Sequence, residues 1–149
     1  MTIYFATDHA GFALKETLVP YVRDVLRYDV VDCGAYEHSP LDDYPEFIKK
    51  AGEAVSKGGD DARAIILGGS GQGEAMVANK YPHVRATVYY GGARDIITLS
   101  REHNNANMLS LGARFVSEDE AKEVVALWLQ TQFGGDERHV RRIAHIDIA

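Results

Sequence analysis

"RAIILGGSGQGEAM", residues 63–76, is an apolar run that ends in four closely spaced glycines and leaves them in a helical pattern. A buried strand, a sharp glycine turn and a helix start, in that order, make a βα unit of the kind that builds parallel sheets. The rest of the chain repeats the alternation. "TIYFA" (2–6), "DVVDCG" (29–34), "RATVYYG" (85–91) and "NMLSLG" (107–112) read as further strands rich in Val, Ile, Tyr and Leu. Between them, Leu14, Leu18, Val22 and Val25 recur at helical spacing, as do Ala121, Val124, Val125, Trp128 and Leu129. Pro20 either kinks the first helix or restarts it. The closing "DERHVRRIAHIDIA" (136–149) reads as a short final helix. Strand–helix alternation of this kind points to an α/β sandwich around a parallel sheet.

The chain has 149 residues, 46% hydrophobic and 26% charged, with no internal repeat, and is expected to form one domain over 1–149. A net charge of −6 argues against general nucleic-acid binding, which needs a basic face. The N-terminus lacks a secretory-signal pattern, and no apolar run approaches the roughly 18 residues of a membrane span. The single cysteine, Cys33, has no internal disulfide partner, and a small buried role is expected for it. A soluble protein of the cytoplasm is the expectation.

The glycine loop resembles a phosphate loop until its end. Counting G-x-x-x-x-G-K-[ST] from Gly68 places the second glycine at Gly73, but Glu74 and Ala75 stand where Lys and Ser/Thr belong. Gly68, Gly69, Gly71 and Gly73 leave backbone N–H groups uncovered, and a helix starting near Gln72 adds its positive end. The plain alternative is a tight strand-to-helix turn, with Glu74 only compensating the helix dipole. A carboxylate beside an oxyanion hole also suits proton abstraction next to a carbonyl. There the base removes a C–H proton while the hole holds the enediolate oxygen. Phosphoryl transfer is disfavoured without the loop lysine.

Other candidates lie where strands or helices end. Asp8 and His9, after strand one, suit a proton-transfer pair, a metal ligand pair or a hydrogen-bonded turn. No H-x-H, H-E-x-x-H or cysteine-rich spacing supports a metal. His103 and Asn104 fall at the end of the fourth helix, where Asn is also an ordinary helix stop. Arg138 and Arg142 are four apart, so they share a helical face and could grip a phosphate or form a solvated basic face.

"ATDHAG", "DDYP", "GGSGQGE…ANK", "REHNNANMLSLGAR" and "RHVRR" together, in this order, resemble the type B ribose-5-phosphate isomerases, a group that also holds galactose-6-phosphate isomerase subunits. The resemblance implies a three-layer α/β/α Rossmann-like sandwich with a five-stranded parallel sheet, acting as a homodimer or tetramer with shared active sites and without metal or cofactor. It implies interconversion of ribose 5-phosphate and ribulose 5-phosphate, with Glu74 as the base. Ser70 and the amides of Gly69, Gly71, Gly73 and their neighbours would form the enediolate hole. His103, with Asp8 as its candidate partner, would open the sugar ring. His9, Arg138 and Arg142 would clamp phosphate, Asn104 and Arg114 would contact sugar or phosphate, and Tyr44 would line the pocket. Part of the family uses a cysteine base at the end of strand three, where this chain has Gly68. The stretch "YYGGARD" (89–95) leaves sugar length open, so allose or galactose 6-phosphate or a tetrose phosphate stand as alternatives. A non-catalytic sugar-phosphate-binding module is the reading from a different class.

Overall fold

The computed structural model describes residues 1–146; the last three residues of the expected C-terminal helix lie outside the described residues. Five strands, β1 (Thr2–Thr7), β2 (Asp29–Asp32), β3 (Ala62–Gly68), β4 (Ala86–Tyr89) and β5 (Met108–Gly112), form one all-parallel sheet in the order β2-β1-β3-β5-β4. The helices are α1 (Phe12–Pro20), α2 (Tyr44–Gly58), α3 (Gln72–Ala78), α4 (Asp95–Glu102), α5 (Glu118–Gln130) and α6 (Glu137–Ala144).

Alternation along the strands sorts the core into two layers. Ile3, Phe5, Ile65, Leu67, Leu109 and Leu111 pack with Leu18, Ile97, Val124 and Trp128 of α1, α4 and α5. Ala6, Ala64, Ile66 and Met108 pack with Ile48, Ala51, Val55 and Ala78 of α2 and α3. The result is a three-layer α/β/α sandwich. Every residue of β3 is buried, as befits the central strand of a sheet covered on both faces. Each fully buried Leu or Ile contributes roughly 1.5–3 kcal/mol relative to exposure. No helix among the described residues is long and apolar enough to cross a membrane. Cys33 is buried and unpaired.

Two strands are shorter than the sequence suggests. β4 stops at Tyr89 because Gly91 and Gly92 adopt φ of 110° and 102°, which breaks the extended run. β2 ends at Asp32, although Cys33 N–H still donates to the Phe5 carbonyl (2.7 Å) and Thr7 N–H to that of Gly34 (2.8 Å). Pro20 closes α1 and the chain widens into a π-helical turn, Tyr21–Val25. Pro20 has no N–H for the Glu16 carbonyl, which removes one rung of the α ladder there.

The strand order positions the site. From β1 the chain moves outward to β2, then returns to the other side of β1 as β3. The carboxyl ends of β1 and β3 therefore flank the switch point, where α/β sheets open a crevice. By the same topology α4, which leads from the carboxyl end of β4 to the amino end of β5, delivers His103 and Asn104 to the opposite edge.

Gly11 seats α1 against this switch point. A methyl group there would lie 2.3 Å from Thr7 Oγ1 and 2.6 Å from Leu67 Cβ. Gly11→Ala is expected to destabilise the fold by about 1–3 kcal/mol through overpacking, read as a lower urea midpoint at unchanged slope.

Candidate active site

The end of β1 is stitched to the end of β3 by the Thr7 hydroxyl, which donates to the Leu67 carbonyl (2.9 Å). Asp8 follows, nearly buried, its Oδ1 accepting from Ala10 N–H (2.9 Å). His9 is held from the 35–43 loop. Its backbone N–H donates to Asp42 Oδ1 at 3.0 Å, and its Nδ1 meets the same oxygen at 2.7 Å. A carboxylate only accepts, so Nδ1 carries the hydrogen of that bond and Nε2 is left as the ring's other polar atom. Asp42 was not singled out in the sequence; its signal was the acidic pair preceding "YP", but nothing local showed that one of the two would reach back to His9. Asp8, His9 and Asp42 form a cluster whose ligand atoms lie within 4.8 Å of one another. The Nδ1 hydrogen bond already occupies one of those donor atoms.

The glycine loop leaves β3 and turns at Gly71, φ 77°, into α3. The Ser110 hydroxyl donates to the Gly71 carbonyl (2.6 Å), and Ala113 N–H to that of Gly68 (2.8 Å), so β5 and the turn after it carry the loop. Glu74, on the first turn of α3, is only 4% exposed. Its carboxylate folds back over the end of β3: a methyl group at position 68 would lie 1.9 Å from Oε1 and 2.5 Å from Oε2. Gly68 is therefore the residue that makes room for Glu74. Burial raises the Glu74 carboxyl above its ordinary range, opposed by a hydrogen bond from its own backbone and reinforced by the Asp8 charge.

Two more side chains are packed against the loop glycines. A methyl group at Gly73 would lie 2.6 Å from the Tyr44 hydroxyl oxygen, and one at Gly69 would lie 3.2 Å from Arg114 Nη1. Tyr44 opens α2, and its phenol reaches the loop from there. These groups enclose an open cavity of about 500 Å³ that gathers Asp8, His9, Tyr44, Gly69, Ser70, Gly73, Glu74 and Arg114. Gly71 shapes the loop beneath it. Phe115, also on the wall, carried no sequence signal, being a lone exposed aromatic after β5.

The 89–95 stretch does not line this cavity. Tyr89 is buried, donates to Glu120 Oε1 (2.8 Å), and accepts from Arg94 Nη1 (3.0 Å), which pins the stretch to α5. Tyr89 serves packing there, and Gly91 and Gly92 turn the chain.

His103, Asn104, Arg138 and Arg142 form a separate group at the other edge of the same chain. His103 stacks on His139, ring centroids 4.3 Å apart and 16° from parallel. His139, on α6, is buried, and burial lowers its pKa, helped by His103, Arg138 and Arg142 nearby. The chain thus presents one face with a buried carboxylate and a glycine-rich loop, and another with histidines and arginines.

The family model for ribose/galactose isomerases matches residues 3–146. The ribose-5-phosphate isomerase B of Mycolicibacterium paratuberculosis is 37% identical over 144 residues, which span 96% of this chain and 87% of that protein. The structure of a ribose 5-phosphate isomerase from Thermotoga maritima aligns with a TM-score of 0.89 at 36% identity, covering 99% of this chain and 98% of that one. That of ribose-5-phosphate isomerase B from Mycoplasma genitalium with bound ribulose-5-phosphate aligns with a TM-score of 0.90 at 35% identity, covering 97% and 93%. On the evidence of the sheet order, the glycine loop and these matches along nearly its whole length, the chain belongs to the ribose/galactose isomerase family.

Proposed function

We propose that the protein interconverts ribose 5-phosphate and ribulose 5-phosphate through an enediolate, with Glu74 as the base. The observation that carries this is the buried Glu74 carboxylate, lying over Gly68 within the glycine loop and facing a cavity shared with Asp8, His9 and Arg114. In the cysteine branch of the family the base projects from position 68. Here the Glu74 carboxylate occupies the space that such a side chain would fill, so the base stands in the same place while being supplied from α3.

The reaction follows from the chemistry of the parts. In the ring form the carbonyl is masked, so a proton must leave the anomeric hydroxyl and one must reach the ring oxygen; Asp8 and a histidine, His103, serve this exchange. Glu74 then removes the proton from C2, and the charge that develops on O1 is held by N–H groups of the 69–74 loop and by Ser70. A proton passes from the C2 hydroxyl to O1, and return of the abstracted proton to C1 then gives the C2 carbonyl of the ketose. A raised carboxyl pKa suits this role, because a stronger base takes the C–H proton more readily. Arg114 and His9 bind the polar groups of the sugar phosphate, and Tyr44 bounds the cavity.

His103, Asn104, Arg138 and Arg142 stand at the wrong edge of their own sheet for this work, so the site is completed by a second copy. A homodimer places one chain's histidine–arginine face against the other's glycine loop. Arg138 and Arg142 then clamp the phosphate about a sugar's length from Glu74. Metabolism of phosphorylated sugars and an unpaired Cys33 both suit the cytoplasm.

Proton NMR of ribose 5-phosphate with the protein in D₂O and excess chelator tests the reading. Deuterium incorporation together with ribulose 5-phosphate is expected; exchange only with a hexose or tetrose phosphate would move the substrate, and none with any would leave a binding module. Glu74→Gln is expected to lower turnover by about 10²–10⁴-fold and to raise thermal stability at pH 7. The sign follows from the raised carboxyl pKa: the native state holds this proton more tightly than the unfolded chain, so ionisation at neutral pH opposes folding. The stability gain should shrink as pH falls toward the ordinary carboxylate value and wild-type Glu74 takes up its proton. Mixing Glu74→Gln with His103→Ala chains should restore part of the activity, since one mixed site keeps both groups. No recovery, with chain exchange shown by mass, would argue against a shared site.

A further inference from the structure

At the amino edge of the sheet, far from Glu74, a second cavity of about 480 Å³ opens between the start of β3, the 83–85 segment and the chain after α5. Arg63, Arg85 and Arg101 line it, with Gln132 and Phe133 at one side and Asp60 at another. Arg63 is 8% exposed and Arg101 2%. Their partners are mostly backbone: Arg63 Nη1 donates to the Leu129 carbonyl (3.0 Å), Arg101 Nε to that of Thr131 (3.2 Å), and Arg101 Nη1 to Ala106 O (2.6 Å) and Asn105 Oδ1 (2.8 Å). Both guanidiniums also sit over the Trp128 ring, 5.6 and 5.8 Å from its centroid. Among the described residues, neither forms an ion pair with a carboxylate. Nor does an acceptor meet Arg63 Nε and Nη2 or Arg101 Nη2.

This is an unusual balance for a protein of net charge −6. Guanidiniums stay charged at neutral pH, and a buried charge is ordinarily paired. Burial and the neighbouring charges of Arg63 and Arg85 bring Arg101 down to about 10, with Asp60 acting weakly the other way. Carbonyl oxygens satisfy donors but bring no net negative charge. Asp60 is a carboxylate on the wall, but it pairs with neither Arg63 nor Arg101, and the cavity's size admits more than a bare ion.

We infer that this cavity is a second ligand site, taking a phosphate dianion or a phosphate monoester between the Arg63 and Arg101 guanidiniums. A tetrahedral dianion accepts from several guanidinium N–H groups at once, which a single carboxylate does less well. Phe133 supplies an apolar wall for the organic part of an ester. The site is independent of the isomerase reading, because none of the residues proposed for that chemistry lines it.

Calorimetric titration of the full chain in phosphate-free buffer at constant ionic strength tests this, with orthophosphate and glucose 6-phosphate as separate probes. An Arg138→Ala/Arg142→Ala background silences the proposed active-site clamp. One saturable site per chain is expected to persist there. Gln132→Glu, an exposed change at the cavity wall, should weaken it at least tenfold, and Arg63→Met should abolish it. Tighter binding of the ester would name a phosphorylated metabolite as the occupant, and equal or tighter binding of orthophosphate the inorganic ion. Loss of all binding in the clamp-silenced chain, or binding unmoved by Gln132→Glu, would overturn the inference whether or not Arg63→Met folds.

Discussion

The site depends on one steric arrangement: a buried carboxylate packed where the side chain of the last β3 residue would be. Glu74 reaches Gly68 only because α3 begins two residues earlier and its first turn points back at the strand end. That start requires Gly71 in the left-handed region, and the loop is then held by Ser110 from β5. Gly69 and Gly73 are filled in turn by Arg114 and Tyr44. Three glycines of the loop thus each admit a particular polar side chain from elsewhere in the fold, and the fourth permits the turn. The pocket is assembled from β1, α2, the β3 loop and the turn after β5 around that packing.

Burial of this carboxylate is unfavourable to folding and favourable to its proposed task. Desolvation raises its proton affinity, and Asp8 adds to the effect. The sheet around it is correspondingly secure, with every β3 residue buried and cores on both faces. A stable scaffold carrying one strained electrostatic element is the usual form of a preorganised site.

The topology also divides the chemistry between two edges. Parallel strands send every crossover helix from the carboxyl edge back to the amino edge, so residues at the end of α4 cannot meet residues at the end of β3 within the same chain. His103 stacks on His139 beside Arg138 and Arg142, and Arg85 donates to the carbonyls of Asn104 and Asn105 in the turn just after His103. Arg85 thus holds the turn that follows His103.

The residue pattern of the chain was enough to determine the five strands, the parallel α/β class, the glycine loop with its carboxylate, and the position of Asp8 and His9 at the end of the first strand. All of these are local: apolar periodicity, glycine punctuation and the position of polar residues at strand ends are written in short windows. Strand limits were less legible, since Gly91 and Gly92 end β4 before the apolar run suggests. Tertiary structure alone decided that Asp42 holds His9, that Gly68 makes way for Glu74, that Tyr89 and Arg94 belong to the packing of α5, and that Arg63 and Arg101 face one cavity. It also decided that His103 and Glu74 lie at opposite edges. Each of these is a contact or a separation between segments distant in sequence, set by strand order and helix direction, for which a linear pattern of residue types carries no signal.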